Sequence, residues 1–238
     1  MELESTVYFD CGNTRVKYCH QDDYGVLAYD QIPAFIADCR PSEIVYSSVT
    51  GERLSELSAA ADSAVNLRRC IVEQHFAGLK LSYRDISALG VDRWLAMLKA
   101  RDITGGGPVW VVDAGTALTV DCIDSDNYHV GGLIAPGISM SARSLFNETV
   151  DLPHIKLKHA GQLGTDTHSC INYGVLHSAV ALIEATVERF KIGCENLIIT
   201  GGDAEMVCRH LTIPHEHQPN LVIDGLKLYW ALKRQGEF

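Results

Sequence analysis

The sequence has no basic tract, no membrane-length run of apolar residues and no closely spaced cysteine pair, and each absence removes a class of function. A formal net charge of −10 without clustered Lys or Arg offers no electrostatic footprint for nucleic acid or an anionic membrane surface. No apolar run approaches the roughly 20 residues that span a bilayer, and Met1 to Asp10 carries Glu2 and Glu4 where a secretory leader is basic. The expectation is a cytoplasmic protein with no membrane and no nucleic-acid partner. Eight cysteines are present, at positions 11, 19, 39, 70, 122, 170, 194 and 208, but none forms a Cys-x-x-Cys suited to zinc. Several lie in apolar patterns and read as buried, reduced thiols. The remaining composition is that of an ordinary globular chain, and 238 residues suffice for one large domain or two small ones.

A repeated stretch argues for two. Val7 to Lys17 and Val109 to Thr119 each begin with a short apolar run of strand-forming residues that ends on an aspartate, Asp10 or Asp113. A small residue and a glycine follow, Cys11-Gly12 or Ala114-Gly115, then a second strand-like run. That is the pattern of a hairpin with a glycine-containing turn. Glycine lets backbone N–H groups approach a phosphate, and the neighbouring aspartate can hold a cation against the phosphate oxygens. Either hairpin alone is equally an ordinary Asp-x-Gly turn; their repetition suggests two related halves gripping one polyphosphate. With no basic tract, that polyphosphate must be held by backbone amides and cations.

Between them, strand and helix patterns alternate, which points to α/β layers. Val26 to Ile32 is weakly strand-like, Pro33 to Cys39 reads as a short helix, Glu43 to Val49 as a buried strand and Gly51 to Asp62 as a helix. A loop carrying Gly90 leads into a helix from about Asp92 to Ile103, so Asp92 is either a helix cap or a site residue. Thr104-Gly-Gly-Gly107-Pro108 is the clearest break, and it sets an expected boundary between domains 1–106 and 107–238. Val130 to Gly137 reads as a glycine-rich lead into a helix over Ile138 to Asn147. Thr165 to Thr167 caps a long helix reaching Ile192, and Asn196 to Asp203 is a strand running into Gly201-Gly202. His215 and His217 have no further ligand nearby and read as loop residues. Gly225 to Arg234 reads as a surface helix.

In this order the motifs Asp10-Cys-Gly-Asn-Thr14 with Lys17, Gly90-Val-Asp-Arg93, Asp113-Ala-Gly-Thr-Ala-Leu-Thr119, Gly131-Gly-Leu-Ile-Ala-Pro-Gly137, Gly164-Thr-Asp-Thr167 and Gly201-Gly202-Asp203 resemble those of the type III pantothenate kinases. Asp166 departs from the family's usual asparagine. The resemblance implies two ribonuclease-H-like domains of the actin-like ATPase superfamily, mixed sheets flanked by helices, and a homodimer. It implies transfer of the γ-phosphoryl group of ATP to the terminal hydroxyl of pantothenate, at the start of coenzyme A synthesis. Carried over by residue, Asp10, Cys11, Gly12, Asn13, Thr14, Arg15, Val16 and Lys17 form the first phosphate turn, with Asp10 near Mg²⁺. Thr116, Gly201 and Gly202 also contact ATP, and Asp113 holds a monovalent cation, K⁺ or NH₄⁺. Tyr83, Gly90, Val91, Asp92, Arg93 and Thr167 contact pantothenate, with Asp92 as the base. Two rivals keep the fold: a kinase for another small alcohol, and a non-catalytic nucleotide-binding regulator.

Overall fold

A computed structural model describes residues 5–12, 15–48, 65–149, 152–153, 163–191, 193 and 196–236. In chain order the elements are β1 (Thr6–Cys11), β2 (Val16–His20), β3 (Asp23–Leu27), α1 (Ile32–Cys39), β4 (Glu43–Ser48), β5 (Asn66–Arg69), β6 (His75–Phe76), β7 (Leu79–Leu81) and α2 (Val91–Ile103). There follow β8 (Val109–Ala114), β9 (Ala117–Ile123), β10 (Tyr128–Pro136), α3 (Ile138–Glu148), α4 (Thr167–Arg189), β11 (Asn196–Thr200), α5 (Ala204–Cys208), β12 (Glu216–His217) and α6 (Leu221–Gln235). The expected helix over Gly51 to Asp62 lies outside the described residues.

The chain forms two compact units, Met1–Lys99 with Leu221–Phe238, and Ala100–Asn220. The break falls near the glycine-rich segment, but the division differs from the expected 1–106 and 107–238 in its last element: α6 belongs to the first unit. It is also no surface helix, since Leu221, Val222, Ile223, Leu226 and Tyr229 are buried. Gly225, read as the start of this helix, lies inside it, because a Cβ there would sit 2.2 Å from the Leu95 carbonyl oxygen of α2. The aromatic rings of Trp94, Phe76 and Tyr229 meet edge-on or tilted within the same unit.

The two units repeat one strand plan. In the first, strands run β3-β2-β1-β4-β5, with β1–β2 and β2–β3 antiparallel and β1–β4 and β4–β5 parallel. In the second, β10-β9-β8-β11-β12 has the same order, with β8–β9 and β9–β10 antiparallel and β8–β11 and β11–β12 parallel. The hairpin repeat seen in the sequence is thus the visible part of a duplicated five-strand order. Alternation decides which face each side chain takes. Val7, Phe9 and Cys11 enter the core of the first unit with Ile44, which leaves Asp10 and Ser47 on the opposite face. Trp110, Val112 and Ala114 enter the second core with Leu197 and Ile199, which leaves Asp113 and Thr200 opposite.

α4 is long and apolar enough to cross a membrane. Its Ile171, Val175, Leu176, Ala179, Val180 and Ile183 pack into the second core. Val130 to Gly137 leads into α3 as expected, and the segment is itself a strand through Pro136, with a bulge between His129 and Gly131.

Candidate active site

The first turn closes where β1 meets β2. Gly12 N donates to the Arg15 carbonyl at 3.1 Å, and the Tyr29 hydroxyl donates to the Gly12 carbonyl at 2.6 Å. A tight, pinned loop with a glycine at its bend suits phosphate oxygens. Asn13 and Thr14, named for this turn, lie outside the described residues. Val16 is fully buried in the core, so its backbone alone can reach a ligand, whereas Arg15 is exposed. Cys11 is buried, and burial first, then the charge of Asp10, pushes its thiol up to about 12. A buried thiol held protonated is a poor nucleophile, which suits Cys11 to packing beneath the turn.

Asp10 stands across the ladder from Lys17 and, on the parallel side, from Ser47, whose hydroxyl donates to Oδ1 at 2.9 Å. Burial pushes the Asp10 carboxyl up to about 6, with the charge of Asp92 adding to it and the Ser47 bond and Lys17 opposing it. A carboxylate held ionised against burial and a like charge is suited to a cation, which relieves both.

Asp92 lies one residue inside α2, which starts at Val91, and not at its cap. Its Oδ1 accepts from the Arg93 N–H at 2.8 Å, satisfying one of the donors a helix start leaves open. Gly90 makes room for this: a Cβ there would lie 2.5 Å from Asp92 Oδ1. Arg93 is buried at 7% exposure, and its Nη1 donates to the Tyr83 hydroxyl at 3.0 Å. The structure therefore brings Tyr83, Gly90, Asp92 and Arg93 together. The Val91 side chain is buried among apolar groups and offers a ligand only its backbone.

In the second unit, the turn after Asp113 is braced from two sides. Gly115 N donates to the Ala117 carbonyl at 3.0 Å, and Gly137 N donates to the Thr116 carbonyl at 3.0 Å. A Cβ on Gly137 would stand 2.0 Å from the Gly115 oxygen, and one on Gly201 would stand 2.5 Å from Asp113 Oδ1. Gly201 has φ +105°, so both conformation and space require glycine there; Gly202 has open space around it. Thr200 pairs with Asp113 in register, is 1% exposed, and its hydroxyl has no hydrogen-bond partner among the described residues. A carboxylate with an unpartnered buried hydroxyl on the same sheet face fits a hard cation.

Asp166 resolves its own oddity. It is the N-cap of α4, accepting from Ser169 N at 3.0 Å and Ser169 Oγ at 2.8 Å, and these bonds hold its carboxyl below the ordinary value. Thr167, the first helical residue, is exposed and takes no part in that cap. Three supporting residues escaped the sequence reading: Ser47, Thr200 and Tyr29. Aligning the repeat one strand further, with Asp10 on Ser47 and Asp113 on Thr200, would have found the first two.

A mixed five-strand order occurring twice, each copy with an Asp-x-Gly hairpin turn, defines the actin-like ATPase fold. The structure resembles that of ethanolamine utilization protein EutJ from Carboxydothermus hydrogenoformans, at TM-score 0.53 and 12% identity over 96% of this chain and 91% of that one. It also resembles a conserved protein described as a Baf family transcriptional activator from Campylobacter jejuni, at TM-score 0.68 and 23% identity over 98% and 100% of the two chains. At these identities the likeness concerns the fold. The family model described as type III pantothenate kinase matches residues 17–189. A type III pantothenate kinase from Dechloromonas aromatica is 33% identical over 95% of this chain and 99% of its own length. The chain belongs to the type III pantothenate kinase family.

Proposed function

We propose that this chain transfers the γ-phosphoryl group of ATP to the terminal hydroxyl of pantothenate, the first step of coenzyme A synthesis, with Asp92 as the base. The observation that carries the residue roles is the Asp92–Arg93 pair, seated in the first turn of α2 beside Tyr83. Arg93 presents a planar fork matched to a carboxylate, and pantothenate has one. The Tyr83 hydroxyl fixes that fork, so the acceptor's carboxylate meets a preset donor.

The chemistry demands little of Asp92. The acceptor oxygen forms a bond to the γ-phosphorus while the bond to the β-bridging oxygen breaks, and the hydroxyl proton must go elsewhere. An aspartate whose ordinary pKa is about 3.9 cannot remove that proton beforehand. In a loose transition state the proton leaves late, and Asp92 needs only to orient the hydroxyl and accept it as the new bond forms.

Cys11, Gly12, Arg15, the Val16 backbone, Lys17 and Thr116, with Asn13 and Thr14, serve the ATP phosphates, and Gly201 and Gly202 the adenosine. Asp10 would meet Mg²⁺, and Asp113 with Thr200 would hold K⁺ or NH₄⁺. Bound cations there offset phosphate repulsion, which a chain of net charge −10 cannot do with its own surface. Thr167 completes the acceptor side. The enzyme is a cytoplasmic homodimer in this reading; Val130, Leu133 and Ile134 of β10 and Met140, Leu145 and Phe146 of α3 are exposed apolar residues that a second copy would cover.

The test is phosphorylation of pantothenate by purified protein with K⁺, NH₄⁺ or only Na⁺ present, followed as phosphorylated product. Product that requires K⁺ or NH₄⁺ supports both substrate and cation. No product under any cation, with ATP still bound, would sink the kinase reading in favour of a regulator, and product on another alcohol alone would move the acceptor.

A further inference from the structure

Asp10 and Asp113 occupy equivalent places in the repeat, and each faces a hydroxyl residue one strand over in parallel register, Ser47 or Thr200. In the first unit the pair is engaged. Ser47 is fully buried, and its hydroxyl donates to Asp10 Oδ1 at 2.9 Å. A hydroxyl donor to a carboxylate makes a short, charge-assisted bond that fixes the plane of the acceptor. With Oδ1 held by Ser47, the oxygen turned to a cation is Oδ2. We propose that Ser47 is a positioning residue that sets which oxygen of Asp10, in which direction, meets the metal of Mg²⁺·ATP. The proposal rests on the reading of Asp10 as the carboxylate that meets Mg²⁺.

Nothing else in the geometry accounts for a buried hydroxyl here. Ser47 follows Ile44, Val45 and Tyr46 near the end of β4, where alanine would satisfy the packing and leave Asp10 without this donor. The other charges acting on Asp10 are Asp92, which repels it, and Lys17, its partner across the ladder. Both act through space, whereas Ser47 fixes an orientation.

The experiment titrates ATP into wild type, Ser47→Ala, Ser47→Thr and Asp10→Asn by calorimetry, with and without Mg²⁺, and measures KM for Mg·ATP and for pantothenate. Ser47→Ala is expected to weaken Mg·ATP binding and raise its KM about tenfold, the loss of one hydrogen bond to a charged group. Metal-free ATP and pantothenate should change less than about twofold, and Ser47→Thr, which keeps the hydroxyl, should restore most of the loss. A merely structural role would lower the active fraction and leave the KM values alone. Unchanged Mg·ATP affinity in Ser47→Ala, or equal weakening with and without Mg²⁺, overturns the proposal if Asp10→Asn is impaired. If Asp10→Asn also binds Mg·ATP normally, the reading of Asp10 itself has failed.

Discussion

Gly137 offers a clean test of the claim that the second turn is held from outside. Its φ of −67° and ψ of 171° suit any residue, so Gly137→Ala introduces no backbone strain. What it introduces is a methyl 2.0 Å from the Gly115 oxygen and 2.7 Å from the Thr116 oxygen. Real Cβ atoms keep at least 3.0 Å, so either the turn or the start of α3 must shift by about 1 Å. Both routes break the bond from Gly137 N to the Thr116 carbonyl. Overpacking costs about 1–3 kcal/mol and the bond about 1 kcal/mol, so the expected loss is roughly 2–4 kcal/mol. That corresponds to a fall of about 5–15 °C in the unfolding midpoint of a chain this size. A displacement of about 1 Å in a positioning turn costs on the order of 10²-fold in kcat/KM for Mg·ATP. The assay pairs thermal unfolding with initial rates, and Gly174→Ala is the control. Gly174 is an exposed helical glycine with nothing near its Cβ position, so alanine there should raise stability by about 0.5–1 kcal/mol. Gly137→Ala with a midpoint within about 2 °C of wild type and activity within about threefold would show that the turn does not depend on this contact.

Three further outcomes are expected. Asp92→Asn should fold and bind ATP with unchanged affinity while turnover falls roughly 10²- to 10⁴-fold, and near-normal turnover would remove it as base. Arg93→Ala should raise KM for pantothenate by about 10- to 100-fold with a smaller effect on KM for ATP, and an unchanged value would take Arg93 away from the carboxylate. For Asp10 the sign follows from its raised carboxyl. The folded protein binds this proton more tightly than the unfolded chain between the ordinary value of 3.8 and about 6, so stability falls as pH rises through that window. Asp10→Asn, without metal or nucleotide at pH 7.5, should therefore unfold at higher urea, by roughly 1–3 kcal/mol, and the gain should vanish near pH 4. A destabilised Asp10→Asn, or a pH-independent difference, would contradict the burial of its charge.

The repeat was legible because both copies keep the residues a turn cannot do without: an aspartate at the strand end, a small residue, a glycine. The remaining strands of each copy were harder to see. β10 carries two glycines and ends on proline, so its sequence argues against a strand that its pairing with β9 enforces. Gly225 misled in the opposite direction, since glycine reads as a breaker and its actual reason is the carbonyl of Leu95, far away in sequence. The same non-locality hid the return of α6 to the first unit. Asp92 and Arg93 were legible as a pair, but not the Tyr83 bond that orients Arg93 or the space Gly90 clears for Asp92. Ser47 and Thr200 stayed hidden because their meaning comes from strand register, which no local pattern specifies.

The charges that serve the proposed reaction are also those the ligand-free fold tolerates least. Asp10 is pressed upward by burial and by Asp92, within a chain already at −10, and Asp203, beside the glycines after β11, is raised by burial as well. A protein selected for stability alone would replace such carboxylates. The proposed function accounts for them by cations that would arrive with the nucleotide: each would offset this repulsion, so binding and stability would rise together. The proposed cation requirement would thus bear on the fold as well as on the chemistry. It also separates the kinase from a nucleotide-binding regulator of the same architecture. In the proposed reading a regulator would use Asp10 and Asp113 to hold a metal-bound nucleotide, whereas Asp92 would serve it only as acceptor for the Arg93 N–H, at the cost of making Asp10 harder to ionise. The proposed reaction gives Asp92 a further use, because a proton must be accepted at the moment of transfer.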